Sequence, residues 1–189
     1  MSLQQRVITT VLAVAVLCVP TLAESAEAAA SEKRVTPAPE TWAGGVDVGF
    51  ANPVGDDNLD AEPFGDGYIE YFFTSNVSLR GMLGLYSFDG PENPGNEPGD
   101  LDLVVFTTNF LYQWEGGTVH PFVTGGLGFY DYDQDLGDED LEFGFNAGGG
   151  VNIYLTNTFA IKIEGDFHGT SAEFLDSFFT ATGGARWLW

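Results

Sequence analysis

From Trp42 to Trp189 the sequence alternates apolar and polar residues in eight segments, roughly 42–51, 64–73, 77–88, 102–114, 120–131, 141–155, 159–168 and 177–189. A period of two is the mark of a strand with two unlike faces. Segment seven puts Phe159, Ile161, Ile163, Gly165 and Phe167 on one face and Ala160, Lys162, Glu164, Asp166 and His168 on the other. Segment six sets Phe143, Phe145, Val151 and Ile153 against Glu142, Asn146 and Asn152, and segment three sets Leu79, Leu83 and Leu85 against Ser78, Arg80 and Tyr86. Segment eight opposes Phe179, Ala181, Ala185, Trp187 and Trp189 to Thr180, Thr182 and Arg186. The other four follow the rule, with Val46/Val48/Phe50, Ile69/Tyr71/Phe73, Phe106/Phe110/Tyr112 and Val123/Leu127/Phe129 on the apolar side. No charged residue stands on the apolar face within the core of any segment.

That apolar face must be kept from water, either inside a soluble fold or against hydrocarbon. A soluble barrel or sandwich buries it, and would then turn the opposite face to water. Hydrocarbon outside reverses the arrangement, because Lys or Arg facing the bilayer midplane costs about 2–4 kcal/mol. Arg80, Lys162 and Arg186 are the only bases after Arg34, and all three fall on the polar face. The connections also sort by length. Residues 74–76, 115–119 and 156–158 are tight, whereas 52–63, 89–100, 132–140 and 169–176 are longer and acidic. Short turns at one end and long loops at the other suit a membrane barrel. The four tryptophans, Trp42, Trp114, Trp187 and Trp189, all fall on the apolar face at the short-turn end, as an interfacial girdle would. The fold expected over 42–189 is therefore all-β, an eight-stranded antiparallel up-and-down transmembrane β-barrel.

Ahead of it, residues 1–23 read as a signal peptide: Arg6, an apolar run from Val7 to Val19, Pro20, and small residues up to Ala23. Residues 24–41 read as a flexible periplasmic leader, rich in small and charged residues and proline. Cys18 is the single cysteine, so no disulfide or thiolate chemistry is expected after cleavage. With 28 acids against 6 bases the net charge is −22, which excludes phosphate-driven nucleic-acid binding.

The residues from 42 to 189 resemble the small bacterial outer-membrane β-barrels of the OmpA/OmpX-like kind. Thr182, Gly184, Trp187 and Trp189 stand where that family's C-terminal insertion signal has its polar residue, glycine and aromatics; the usual last residue is Phe. The run from His120 to Phe129 is similar to the family's Pro-aromatic, Gly-rich fifth strand. The resemblance implies residence in the bacterial outer membrane and recognition by the outer-membrane assembly machinery. Contact with outer-membrane lipids and lipopolysaccharide, as a monomer, is the matching expectation.

Inside the expected barrel, Glu70 and Arg80 flank the turn 74–76 symmetrically and should face each other. Arg186 and Asp47 should approach across the closing seam, and Lys162 shares a face with Glu164. These six predict a salt-bridged plug. No cofactor is expected, apart from loosely held Ca²⁺ or Mg²⁺ at the acidic loops. There Asp131, Asp133, Asp135 and Glu142 have the 1, 3, 5 and 12 spacing of a calcium loop, though Leu136 stands where such a loop needs Gly. His168-Gly169-Thr170-Ser171 faintly resembles the His-x-Ser of outer-membrane lipid A deacylases, with Thr170 at the nucleophile position and Thr182 at the acid's; a structural role for His168 is expected instead. The function expected is a non-enzymatic barrel that contributes to envelope integrity and displays acidic loops for surface interaction or adhesion. A narrow channel for ions or small solutes is the alternative, and a lipid A-modifying enzyme the third reading.

Overall fold

The computed structural model describes residues 36–54, 62–88, 101–134, 139–171 and 177–189, without the side chains of 88, 101, 132–134 and 139–140. The expected signal peptide and most of the leader lie outside the described residues. Eight strands follow in order: β1 (Trp42–Pro53), β2 (Glu62–Phe72), β3 (Val77–Phe88), β4 (Leu101–Gln113), β5 (Val119–Gln134), β6 (Glu139–Tyr154), β7 (Phe159–Thr170) and β8 (Ser177–Leu188). Each pairs antiparallel with the next, and β8 pairs with β1 from Ala43↔Leu188 to Pro53↔Phe178, which closes an up-and-down barrel. Closure gives every strand a neighbour on both sides, the condition for strands to cross hydrocarbon.

The faces are oriented for a membrane. Leu83, Phe145 and Ile163 are 52 %, 51 % and 52 % exposed on the outer wall, whereas Arg80 and Lys162 are each 1 % exposed inside. Trp42, Trp114, Trp187 and Trp189 are exposed on the outer wall at the short-turn end. At that end the sequence supplies its own turn locks. Thr74 Oγ1 accepts from the backbone N–H of Asn76 and Val77 at 3.2 and 3.0 Å. Thr156 Oγ1 accepts from Thr158 N–H at 3.2 Å, and Gly117 takes the positive φ of 67° that its turn requires.

The strands run further toward the long-loop end than the alternation suggested. β1 extends to Pro53, β5 to Gln134 and β7 to Thr170, and β6 starts at Glu139. Backbone pairing continues there after the side chains have turned polar, so hydropathy loses the strand before the ladder does. The end of the expected leader is also tied down: Glu40 N–H donates to Phe72 O at 2.8 Å and Phe72 N–H to Thr41 O at 2.9 Å.

Candidate functional site: the packed lumen

The interior is layered. At the short-turn end Ala43, Phe72, Tyr154, Ala160 and Leu188 pack together. At the long-loop end a second cluster joins Ala51, Phe64, Tyr86, Leu103, Val105, Tyr130 and Phe178. The inward face is thus not uniformly polar, which corrects the sequence expectation; in a barrel this narrow, rings fill volume that water would otherwise occupy.

Between the two clusters lies a belt of charge. Arg80 on β3 donates from Nη1 to both carboxylate oxygens of Glu164 on β7, each at 2.8 Å, and from Nε to Glu70 Oε2 on β2 at 3.3 Å. Arg186 on β8 reaches Glu70 Oε1 with Nη2 at 2.8 Å. Lys162 on β7 meets Asp47 Oδ2 on β1 at 2.5 Å and also pairs with Glu164. Ser78 Oγ donates to Glu70 Oε1 at 2.5 Å. The chain Asp47–Lys162–Glu164–Arg80–Glu70–Arg186 therefore ties β1, β7, β3, β2 and β8 together, and its Arg80–Glu164 link joins strands on opposite sides of the barrel. All six side chains are buried. Tyr68 lies in the middle, with Arg80 Cζ 4.6 Å and Lys162 Nζ 4.4 Å from its ring centroid.

Glu70 and Arg80 are direct register partners. The expected approach of Arg186 to Asp47 is not made. Gly45 stands opposite Arg186 on β1 and Asp47 opposite Gly184, so the two charges are offset by two residues along the seam. Arg186 turns to Glu70 instead, and Asp47 to Lys162. Register alone gives neighbours along the wall; links across the lumen depend on side-chain reach, which spacing does not show.

A second belt holds His168. Its Nδ1 lies 3.0 Å from Tyr130 Oη, its ring stacks on Phe178 at 4.4 Å and 3°, and Thr180 Oγ1 lies 3.5 Å from Nε2. The ring is 2 % exposed and faces inward. Ser171 is exposed and donates to Glu142 Oε2 at 2.5 Å, while Thr182 Oγ1 donates to the Glu164 carbonyl at 3.5 Å. His168, Ser171 and Thr182 therefore hold separate partners.

The loop acids do not gather as the calcium spacing implied. Asp131 pairs with Leu141 and Glu142 with Tyr130. Leu141 is exposed and Tyr130 buried, so Asp131 and Glu142 point to opposite faces of the wall. The ladder continues through residues that a calcium loop would need to curl. The side chains of Asp133 and Asp135 lie outside the described residues. Among the described residues, no three His, Cys, Asp or Glu side chains form a metal-binding group.

At the C-terminus, Gly184 has a steric reason: a Cβ there would run into the Asp47 carboxylate and the Val46 carbonyl. Trp187 and Trp189 face outward, and Trp189 closes the seam through Trp189 N–H to Trp42 O at 2.9 Å and the reciprocal bond at 3.2 Å.

The family model described as outer membrane protein beta-barrel domain matches residues 9–181. Among solved structures, the outer membrane protein OprG of Pseudomonas aeruginosa is similar at 11 % identity, with a TM-score of 0.64, over 83 % of this chain and 99 % of that one. The N-terminal β-barrel domain of Pseudomonas aeruginosa OprF is similar at 16 % identity, with a TM-score of 0.58, over 81 % of this chain and 100 % of the other. Neisserial surface protein A gives 12 % identity and a TM-score of 0.59 over 80 % and 98 %. At these identities the likeness is one of fold. No curated protein sequence matches the chain.

Proposed function

The chain belongs to the outer membrane protein β-barrel family and resides in the bacterial outer membrane, and we propose that it acts there as a sealed, non-enzymatic barrel. It contributes to envelope integrity and displays acidic extracellular loops to the surroundings. One observation carries this reading: the ion-paired belt from Asp47 to Arg186 spans the lumen, with a packed ring layer on each side of it. A path for solute would have to break several buried ion pairs at once, and each orphaned partner would remain in a medium that solvates it poorly. Thr182, Gly184, Trp187 and Trp189 are the residues that the assembly machinery would read. The loops, through their acids, would hold Ca²⁺ or Mg²⁺ loosely and so approach lipopolysaccharide phosphates without repulsion. The reading is of a monomer, set among outer-membrane lipids.

Conductance of the refolded barrel in a planar bilayer tests the seal. Wild-type protein should give no steady discrete openings, and regular unitary steps would refute the proposal. The alternative, a narrow cation path, is favoured by a specific feature. Asp66 and Asp166 also face the lumen, and among the described residues neither is salt-bridged and each leaves Oδ1 without a hydrogen-bond partner. Cation-selective steps that vanish in Asp66→Asn would establish that alternative.

A further inference from the structure

Between β2 and β3 the wall opens at its long-loop end. Their register runs from Phe72↔Ser78 to Gly65↔Leu85 and stops there. Yet β2 stays with β1 as far as Ala51↔Glu62, and β3 stays with β4 as far as Phe88↔Leu101. Residues 62–64 and 86–88 are therefore strand on the two sides of a split. Pro63, within it, has no N–H to offer a neighbouring strand. On the lumen side Phe64 and Tyr86 close the split by stacking, with centroids 4.2 Å apart and planes at 16°. Phe178 braces Tyr86 edge-on at 5.6 Å.

On the outer side the split widens into a recess of about 830 Å³. Val48 and Phe50 of β1 form one wall, Leu85 and Val104 the other, and all four are exposed on the lipid-facing surface. Gly65 gives the recess its depth. Toward the long loops, Ser87 and Asp102 border it and are hydrogen-bonded to each other.

We propose that this recess binds one acyl chain of an outer-leaflet lipid. It is continuous with the apolar belt of the barrel, so the solvent in front of it is hydrocarbon rather than water. Its volume falls within the roughly 300–1,000 Å³ of small-molecule sites. The Phe64–Tyr86 stack makes it blind, so a chain lies in the wall and does not pass into the lumen. Ser87 and Asp102 border the end where a headgroup would sit, and they suit a hydroxyl or amine there. The same headgroup can serve backbone groups that the β2–β3 ladder no longer pairs, groups that are costly to leave unsatisfied against hydrocarbon. An aqueous solute gains little from walls of four aliphatic and aromatic side chains. The inference goes beyond the sealed-barrel reading and does not depend on whether the lumen conducts.

The test uses the full barrel refolded into phosphatidylcholine vesicles with a trace of phosphatidylcholine nitroxide-labelled along one acyl chain. Spin-resonance spectra are followed as the lipid-to-protein ratio rises. Wild type should keep one slowly exchanging, motionally restricted chain per barrel. Gly65→Leu should abolish it by filling the recess; a Cβ at Gly65 meets only the Asp47 carbonyl, at an ordinary 3.6 Å. Val104→Trp should do the same from the opposite wall and decides the matter if Gly65→Leu does not fold. Gly81→Leu adds equal bulk lower on the same outer face, where a Cβ meets nothing within 4 Å, and should keep the restricted chain. Identical spectra for wild type and the filled variants would overturn the proposal. So would equal loss in Gly81→Leu, which would mean ordinary boundary lipid. Heat-dependent gel mobility reports folding of each variant.

Discussion

Arg80 crosses the lumen from β3 to β7 and donates three hydrogen bonds to two buried carboxylates, Glu164 and Glu70. Substituting Met keeps much of the volume but leaves two carboxylates with fewer cations. Removing one member of such a network typically costs about 3–5 kcal/mol. Arg80→Met should therefore lower the urea midpoint of the refolded barrel strongly, and an unchanged midpoint would mean that water reaches the belt and screens it. Glu164→Gln should cost less than Arg80→Met, because its amide still accepts from Arg80 while Lys162 retains Asp47. Gly184→Ala probes the closing seam. The new methyl meets the Asp47 carboxylate and a backbone carbonyl, neither of which can move without disturbing Lys162 or the β1–β8 ladder. Overpacking of this kind costs about 1–3 kcal/mol, to be read as slower refolding and a lower midpoint than for Gly81→Ala, whose site is open.

The strand is the unit that the sequence specifies best here, because hydrocarbon and lumen impose opposite demands on alternate residues. Ile163 and Lys162 are neighbours in β7, one 52 % exposed on the outer wall and one 1 % exposed within. Ile163→Lys puts a charge against the bilayer and should lower stability by about 2–4 kcal/mol, measured as the folded fraction in vesicles at graded urea. If folding tolerates that change as well as Ile163→Ala, the outer face is not in hydrocarbon. The same logic explains what was legible. The eight strands, their faces, the tryptophan girdle and the inward bases followed from period and charge alone. The Glu70–Arg80 register partnership followed from symmetry about the turn 74–76. The partners of Arg186 and Asp47 did not, because a guanidinium on β8 can reach past β1 to a carboxylate on β2 as easily as to one on β1. Tyr86 was placed on the inner face by the alternation, but Phe64, Leu103 and Phe178 were hidden for a related reason: inside a narrow barrel an apolar residue on the polar face breaks the alternation without breaking the fold. The split between β2 and β3 leaves only Pro63 as a local sign.

At the scale of the molecule the dominant feature is charge asymmetry. The segments 52–63, 89–100, 132–140 and 169–176, which join strands at one end of the barrel, contain fifteen of the 28 acids and no lysine or arginine. The three bases of the barrel sit in its interior, paired. Two electrostatic contributions to stability therefore respond differently to salt. Repulsion among the acids at one end acts through water, and is screened over a Debye length of about 10 Å at 0.1 M salt. The attraction of the interior belt is shielded from solvent by the wall and by ring layers on both sides, so added salt barely weakens it. The sum predicts that stability rises with ionic strength, the reverse of what surface salt bridges would give. Urea midpoints should increase from low salt to about 0.5 M NaCl, with the Arg80→Met barrel showing the same slope from a lower start. At matched ionic strength CaCl₂ and MgCl₂ should raise the midpoint further and about equally, without saturating at a fixed stoichiometry, because loose association follows charge density rather than a built coordination shell. A midpoint that falls with NaCl would place the decisive ion pairs in contact with water, and a sharp stoichiometric preference for Ca²⁺ over Mg²⁺ would mean that the acids at this end organise around a specific ion.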